Sequence, residues 1–216
     1  KIDDNPSEIA LKSNQSLKSF ASYLNQLTLN EPELVQFDID ALNKDVEAGM
    51  YFDSSIPQGY GVGSSGALVA AIYDKYATEK ITVLENLNRE KLLTLKKIFG
   101  RMESFFHGTS SGLDPLNSYL SLPILINSKD HIEPTGIPSQ KEEGTGAVFL
   151  LDSEMVGETA PMVNIFMDNL KNEGFRNMMK SQFAKYTDAA VENFLKGDFK
   201  TLYTNTKELS KIALSH

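Results

Sequence analysis

Pro57-Gln58-Gly59-Tyr60-Gly61-Val62-Gly63-Ser64-Ser65-Gly66, running unbroken into Ala67-Leu68-Val69-Ala70-Ala71-Ile72-Tyr73, is the stretch on which the reading of this chain turns. Four glycines within eight residues carry a high cost in chain entropy, and they allow backbone conformations and close approaches that other residues forbid. The residues after Gly66 are small, apolar and free of proline. The pattern therefore predicts a loop that delivers its amides onto the first turn of a helix ending near Thr78, with Ser64 and Ser65 as candidate N-caps. Free N–H groups and a partial positive charge make such a terminus an anion site, so the stretch reads as a phosphate cradle. The competing reading is a tight strand-to-helix turn whose glycines only start a core helix. No lysine follows the glycines as in G-x-x-x-x-G-K-[ST], and the run does not fit G-x-G-x-x-G with an acidic residue about 20 positions on.

A second segment bears on the choice. Asn88-Arg89-Glu90-Lys91 has the form of a cap with an acidic first turn, and Leu92, Leu95, Phe99, Met102 and Phe106 then recur at helical spacing as one apolar stripe. Glu103 falls about 70° from the centre of that stripe. A carboxylate at the rim of a buried face needs a partner, because burying it alone is expensive. Directly after the helix comes His107-Gly108-Thr109-Ser110-Ser111-Gly112-Leu113-Asp114, a polar, glycine-bracketed turn ahead of a short helix from Leu116 to Leu120. Glu103 and Asp114 can thus converge on one site opposite the glycine loop. One carboxylate could ligate Mg²⁺, a cation of oxygen ligands and substrate phosphates; the other could take a proton from an attacking hydroxyl. His107 either hydrogen-bonds substrate or packs as a capped core histidine, the second being the preferred reading.

Working outward, Ser7 to Leu29 carries a helical apolar spacing, whereas Phe37 to Ala41 and Ala48 to Ser54 read as strands. Leu122 to Asn127 and the apolar run Gly146 to Asp152 also read as strands, the latter buried. Helices are expected over Met162 to Lys171, Phe175 to Lys196 and Phe199 to Leu214, separated by Gly174 and Gly197, with Met155, Met162, Met167, Met178 and Met179 as core filler. Strands mixed with helices and no regular βαβ alternation give α+β as the fold class. The 216 residues are divided near residue 142, into domains 1–141 and 142–216.

Composition limits the function classes. A formal net charge of -8, with no Lys/Arg cluster to offset it, argues against a nucleic-acid surface. There is no cysteine, which excludes disulfides and thiolate metal sites. No apolar run has membrane-span length and no signal-peptide pattern stands at the N-terminus, so no membrane partner and a cytoplasmic location are expected.

Pro57 to Ala67 resembles the P-x-x-x-G-x-G-S-S-A phosphate loop of the GHMP kinases, and Glu103 with His107 to Asp114 resembles the E-x-x-x-H-G-x-x-S-G-x-D segment of mevalonate kinases within that superfamily. The resemblance implies a two-lobed fold, a βαβ-type ATP-binding lobe followed by a helix-rich, ferredoxin-like lobe, both incomplete here. It implies ATP and Mg²⁺ as cofactors and phosphorylation of a small-molecule alcohol, mevalonate foremost. On this likeness Asp114 is the catalytic base and Glu103 and Ser65 hold the metal. Gly59, Gly61, Val62, Gly63, Ser64, Ser65 and Gly66 hold the triphosphate, and His107 and Thr159 lie toward the substrate. The alternatives are another GHMP small-molecule kinase, acting on phosphomevalonate, homoserine or a sugar, and a non-catalytic nucleotide- or metabolite-binding protein of the same fold. A scaffolding role is a weaker fourth, and a homodimer is left open. The chain departs from the family in two places: nothing ahead of residue 54 matches the lysine that pairs with the catalytic Asp, and no third glycine-rich motif comes before His216. These 216 residues alone are therefore expected not to turn over.

Overall fold

The structure, a computed structural model, describes residues 6–55, 60–82, 87–128, 131–136, 149, 151 and 159–214, with the side chains of residues 159, 160 and 214 left aside. The chain divides into two compact units, Lys1–Thr135 and Gly136–His216.

The first unit is built on five helices and a hairpin among its described residues: α1 (Glu8–Asn30), α2 (Ile39–Glu47), α3 (Ser64–Tyr76), α4 (Arg89–His107), α5 (Leu113–Leu120), then β1 (Ile124–Ser128) paired antiparallel with β2 (His131–Pro134). Local signals set the ends of the longer helices. Ser7 caps α1 by accepting from the amide of Ala10, and Asn88 caps α4 by accepting from that of Lys91. Their apolar faces meet in one core: Leu17, Phe20 and Leu24 of α1, Val69 and Tyr73 of α3, Leu95, Phe99 and Met102 of α4, and Leu116 of α5. Tyr73, Phe99 and Tyr119 stack edge to face at its centre, with ring centroids 5.0–5.5 Å apart.

Two expected strands do not form. Phe37 makes only an isolated bridge to Ala77, and the chain then turns into α2, because the Asp38 carboxylate accepts from the amide of Ala41 at 2.9 Å and Leu42 and Val46 share one buried face. Residues 48–54 find side chains of α1 where a strand would find backbone. Asn14 donates to the carbonyls of Val46 and Met50 at 2.8 and 2.7 Å, and the Ser13 hydroxyl accepts from Phe52 N–H at 3.0 Å. Met50 O and Phe52 N–H, met in this way, need no ladder partner. Among the described residues the first unit is thus helical with a two-stranded hairpin, which fits α+β but shows no βαβ unit.

The second unit is helical among its described residues: α6 (Thr159–Asn169), α7 (Glu173–Met178), a π-helical turn (Met179–Phe183), α8 (Ala184–Lys196) and α9 (Phe199–Leu214). Gly197 ends α8 in the left-handed conformation, the role its position suggests, while Gly174 lies inside α7 and separates nothing. The strand expected at 146–152 lies mostly outside the described residues; Phe149 and Leu151, which are described, are exposed and belong to no strand among the described residues. Met162 and Met167 are likewise exposed rather than core filler, because α6 carries apolar residues on more faces than its described neighbours cover. No ferredoxin-like sheet is present among the described residues of this unit. No helix is long and apolar enough to cross a membrane, among the described residues.

Candidate active site

The glycine loop reaches α3 with Gly61 and Gly63 at φ +69° and +78°, a region in which a residue with a Cβ is strained. Gly63, and neither serine, is the N-cap of α3, and no side chain caps the helix. The amides of Ser64, Ser65 and Gly66 form its first turn, where no preceding helical turn supplies an acceptor. Ser65 is engaged elsewhere. Its Oγ lies 3.1 Å from Glu103 Oε1 and 3.0 Å from His107 Nε2. A hydroxyl has one proton; given to the carboxylate, it leaves Ser65 Oγ to accept from Nε2–H of His107.

Glu103 is buried, only 4% exposed, on the core face of α4 rather than at its rim. Both of its oxygens are held by hydroxyls, Oε1 by Ser65 and Oε2 by Ser110, and no lysine or arginine pairs with it among the described residues. A buried carboxylate held only by neutral donors is electrostatically incomplete, and a cation beside it restores the balance. Asp114 stands in the first turn of α5, exposed, without a hydrogen bond or ion pair among the described residues. It adjoins the glycine loop through Gly66. A Cβ on Gly66 would come within 2.8 Å of both Asp114 C and Pro115 N, so only glycine lets α3 and α5 meet here.

Ser65 and Gly66, consecutive in sequence, therefore touch the two carboxylate-bearing elements: Ser65 meets Glu103 and His107, and Gly66 abuts the backbone of Asp114. His107 is exposed and bonded to Ser65, which corrects its reading as a core histidine: the last turn of α4 has left the core by that point. Gly66 is buried against Asp114 and Pro115, so its lack of a side chain serves helix packing. Gly59 lies outside the described residues. Thr159 belongs to the second unit, where it opens α6. Sequence reasoning assigns Ser110 no role; a hydroxyl seven residues beyond Glu103 and two before Gly112 is the available signal.

The donor set fits Mg²⁺. Ser65 Oγ and Glu103 Oε1 are hard oxygens side by side, and a cation of this kind takes its remaining ligands from phosphates and water. Among the described residues no group of three or more His, Cys, Asp or Glu side chains gathers as an all-protein metal cage.

Residues 33–121, which include α2 to α5 and both motifs, match the family model described as GHMP kinases N terminal domain. No curated protein and no solved structure matches the chain. The segment that carries Ser65, Glu103 and Asp114 is thus the segment matched as a GHMP kinase N-terminal domain.

Proposed function

We propose that the chain takes part in ATP-dependent phosphorylation of a small-molecule alcohol, with mevalonate as the acceptor and isoprenoid precursor synthesis as the setting. The supporting observation is that Ser65 reaches Glu103 at 3.1 Å while the next residue, Gly66, abuts the backbone of Asp114, so the first turn of α3 lies against both carboxylate-bearing elements. Phosphoryl transfer asks mainly for positioning and charge neutralisation. Asp114, exposed and uncommitted, takes the proton that the acceptor hydroxyl gives up as its oxygen bonds to phosphorus. Glu103 and Ser65 would hold Mg²⁺, and the amides of Gly61 to Ser65 would hold the triphosphate. When bound, ATP would supply the phosphoryl group, its β–γ P–O bond breaking as ADP leaves, and Mg²⁺ would supply positive charge beside Glu103. His107 steadies Ser65 and is placed by this reading toward the acceptor. The preference for mevalonate rests on the likeness of Glu103 and His107 to Asp114 to the mevalonate kinase segment.

A coupled ADP-release assay on the full-length protein, with mevalonate, phosphomevalonate, homoserine and galactose, tests the reading. Turnover is expected with mevalonate, and Asp114→Asn should lower it by about 10²–10⁴-fold while Mg·ATP binding persists. A response to one of the other acceptors would make the chain a different GHMP kinase. A second reading, a nucleotide- or metabolite-binding protein without catalysis, is favoured by the lack of any Lys or Arg partner for Asp114 among the described residues. Binding of Mg·ATP with silence toward all four acceptors would select it.

A further inference from the structure

We propose that Ser110 is a positioning residue for Glu103: its hydroxyl fixes the carboxylate's second oxygen and so leaves the first, beside Ser65, aimed at the cation. This role deepens the kinase reading and rests on it. A carboxylate on a glutamate stem turns freely unless both oxygens are held, and Glu103 is held at both, Oε1 by Ser65 and Oε2 by Ser110.

The Ser110 hydroxyl is itself oriented. Gly112 N–H donates to Ser110 Oγ at 3.0 Å, which occupies a lone pair and directs the single proton to Glu103. Gly112 in turn is fixed against α4. Its φ is +72°, and a Cβ there would come within 2.1 Å of Lys96 O and 2.6 Å of Gly100 N. The turn from Gly108 to Gly112 therefore folds back onto the helix it has just left, and that return lets Ser110 reach a carboxylate seven residues earlier. The same turn ends at Gly112, the N-cap of α5, with Asp114 in the first helical turn. One hydroxyl thus links the orientation of Glu103 to the backbone that carries Asp114. Thr109 and Ser111, its neighbours, are both exposed, and Ser111 bonds only locally, to Leu113 N–H at 3.4 Å.

Groups that orient a metal-ligating carboxylate are worth about 10–100-fold in metal affinity. The experiment measures Mn²⁺ affinity of the full chain in the presence of ATP, by electron paramagnetic resonance of the free ion, for wild type, Ser110→Ala, Ser110→Thr and the same alanine change in a Glu103→Gln background. Ser110→Ala is expected to weaken Mn²⁺ by about tenfold or more, Ser110→Thr to restore most of it, and the alanine change to add nothing once Glu103 is Gln. Wild-type affinity in Ser110→Ala, equal losses in the Ala and Thr variants, or additivity with Glu103→Gln would each overturn the inference. Thermal midpoints taken alongside separate a capping role, since a midpoint that Ser110→Thr restores while Mn²⁺ affinity stays low also overturns it. If wild type takes up no Mn²⁺ with ATP, the kinase reading falls and this inference with it; the alanine arm alone failing leaves the kinase reading intact.

Discussion

Phe99 in α4 and Phe166 in α6 carry the same side chain, yet the first is fully buried and the second is 41% exposed. The contrast extends to the two units. Lys1–Thr135 holds the buried apolar residues of α1 to α5 and β2, whereas in Gly136–His216 no described side chain is buried. The first unit is therefore held by contacts between helices distant in sequence. The helices of the second show signals that act within a turn or two of themselves: Asn172 capping α7, left-handed Gly197 ending α8, and the exposed pairs Glu192–Lys196 and Glu208–Lys211. Exposed pairs of that kind are worth little. A site that depends on a 3.1 Å contact between α3 and α4 belongs in the unit whose helices are fixed by a shared core.

Large-to-small substitution puts the greatest load on this contrast. Phe99→Ala removes a fully buried ring from the Tyr73 and Tyr119 cluster and should cost about 3–5 kcal/mol in urea unfolding. Met162→Ala, at a residue 67% exposed, should stay within about 0.5 kcal/mol. A loss above about 2 kcal/mol at Met162 would mean that α6 is covered after all, and the contrast between the units would fail.

Glycine substitutions sharpen the comparison at lower cost. Gly66→Ala gains about 1 kcal/mol of helix propensity. It also drives a methyl group into the backbone of Asp114 and Pro115 at 2.8 Å, where nothing flexible can yield. The net result should be a loss of about 1–3 kcal/mol. Gly174→Ala, in α7, meets only the end of the Asn172 side chain at 3.2 Å and should change stability by less than about 1 kcal/mol. Equal effects at the two positions would show that α3 and α5 are not in close packing at Gly66.

The legibility of the sequence divides in the same way between local and distant causes. The limits of α1, α4 and α9 can be read from caps and apolar period, since both lie within the segment concerned. Helix α2 reads as a strand because it has only nine residues and two buried positions, too few to establish a period. Residues 48–54 alternate like a strand, and nothing nearby reveals that Ser13 and Asn14, more than thirty residues earlier, take their backbone groups. Glu103 can be singled out as a carboxylate on an apolar face that needs a partner. Which of Thr109, Ser110 and Ser111 supplies a partner cannot be told, because three adjacent hydroxyls look alike until the turn folds back on α4.

The effect most specific in its pH dependence concerns Tyr119. Burial, with the neighbouring Tyr73 and Asp74 adding to it, pushes its hydroxyl from 10.0 up to about 12, and the OH donates to Ile81 O at 3.0 Å. Tyr73, Tyr76 and Tyr23, all in the first unit, are raised as well, chiefly by burial. A raised value means that the folded state keeps a proton the unfolded chain gives up. The stabilisation is complete below the unfolded value near 10 and is lost as pH climbs toward 12. Tyr119→Phe keeps the ring and deletes the proton. It should cost about 1 kcal/mol at pH 7 through the lost hydrogen bond. Its unfolding free energy should then fall less steeply than wild type between pH 10 and 12, so that the two curves converge. Parallel curves across that interval would place Tyr119 in solvent and remove one of the three rings on which the core of the first unit is centred.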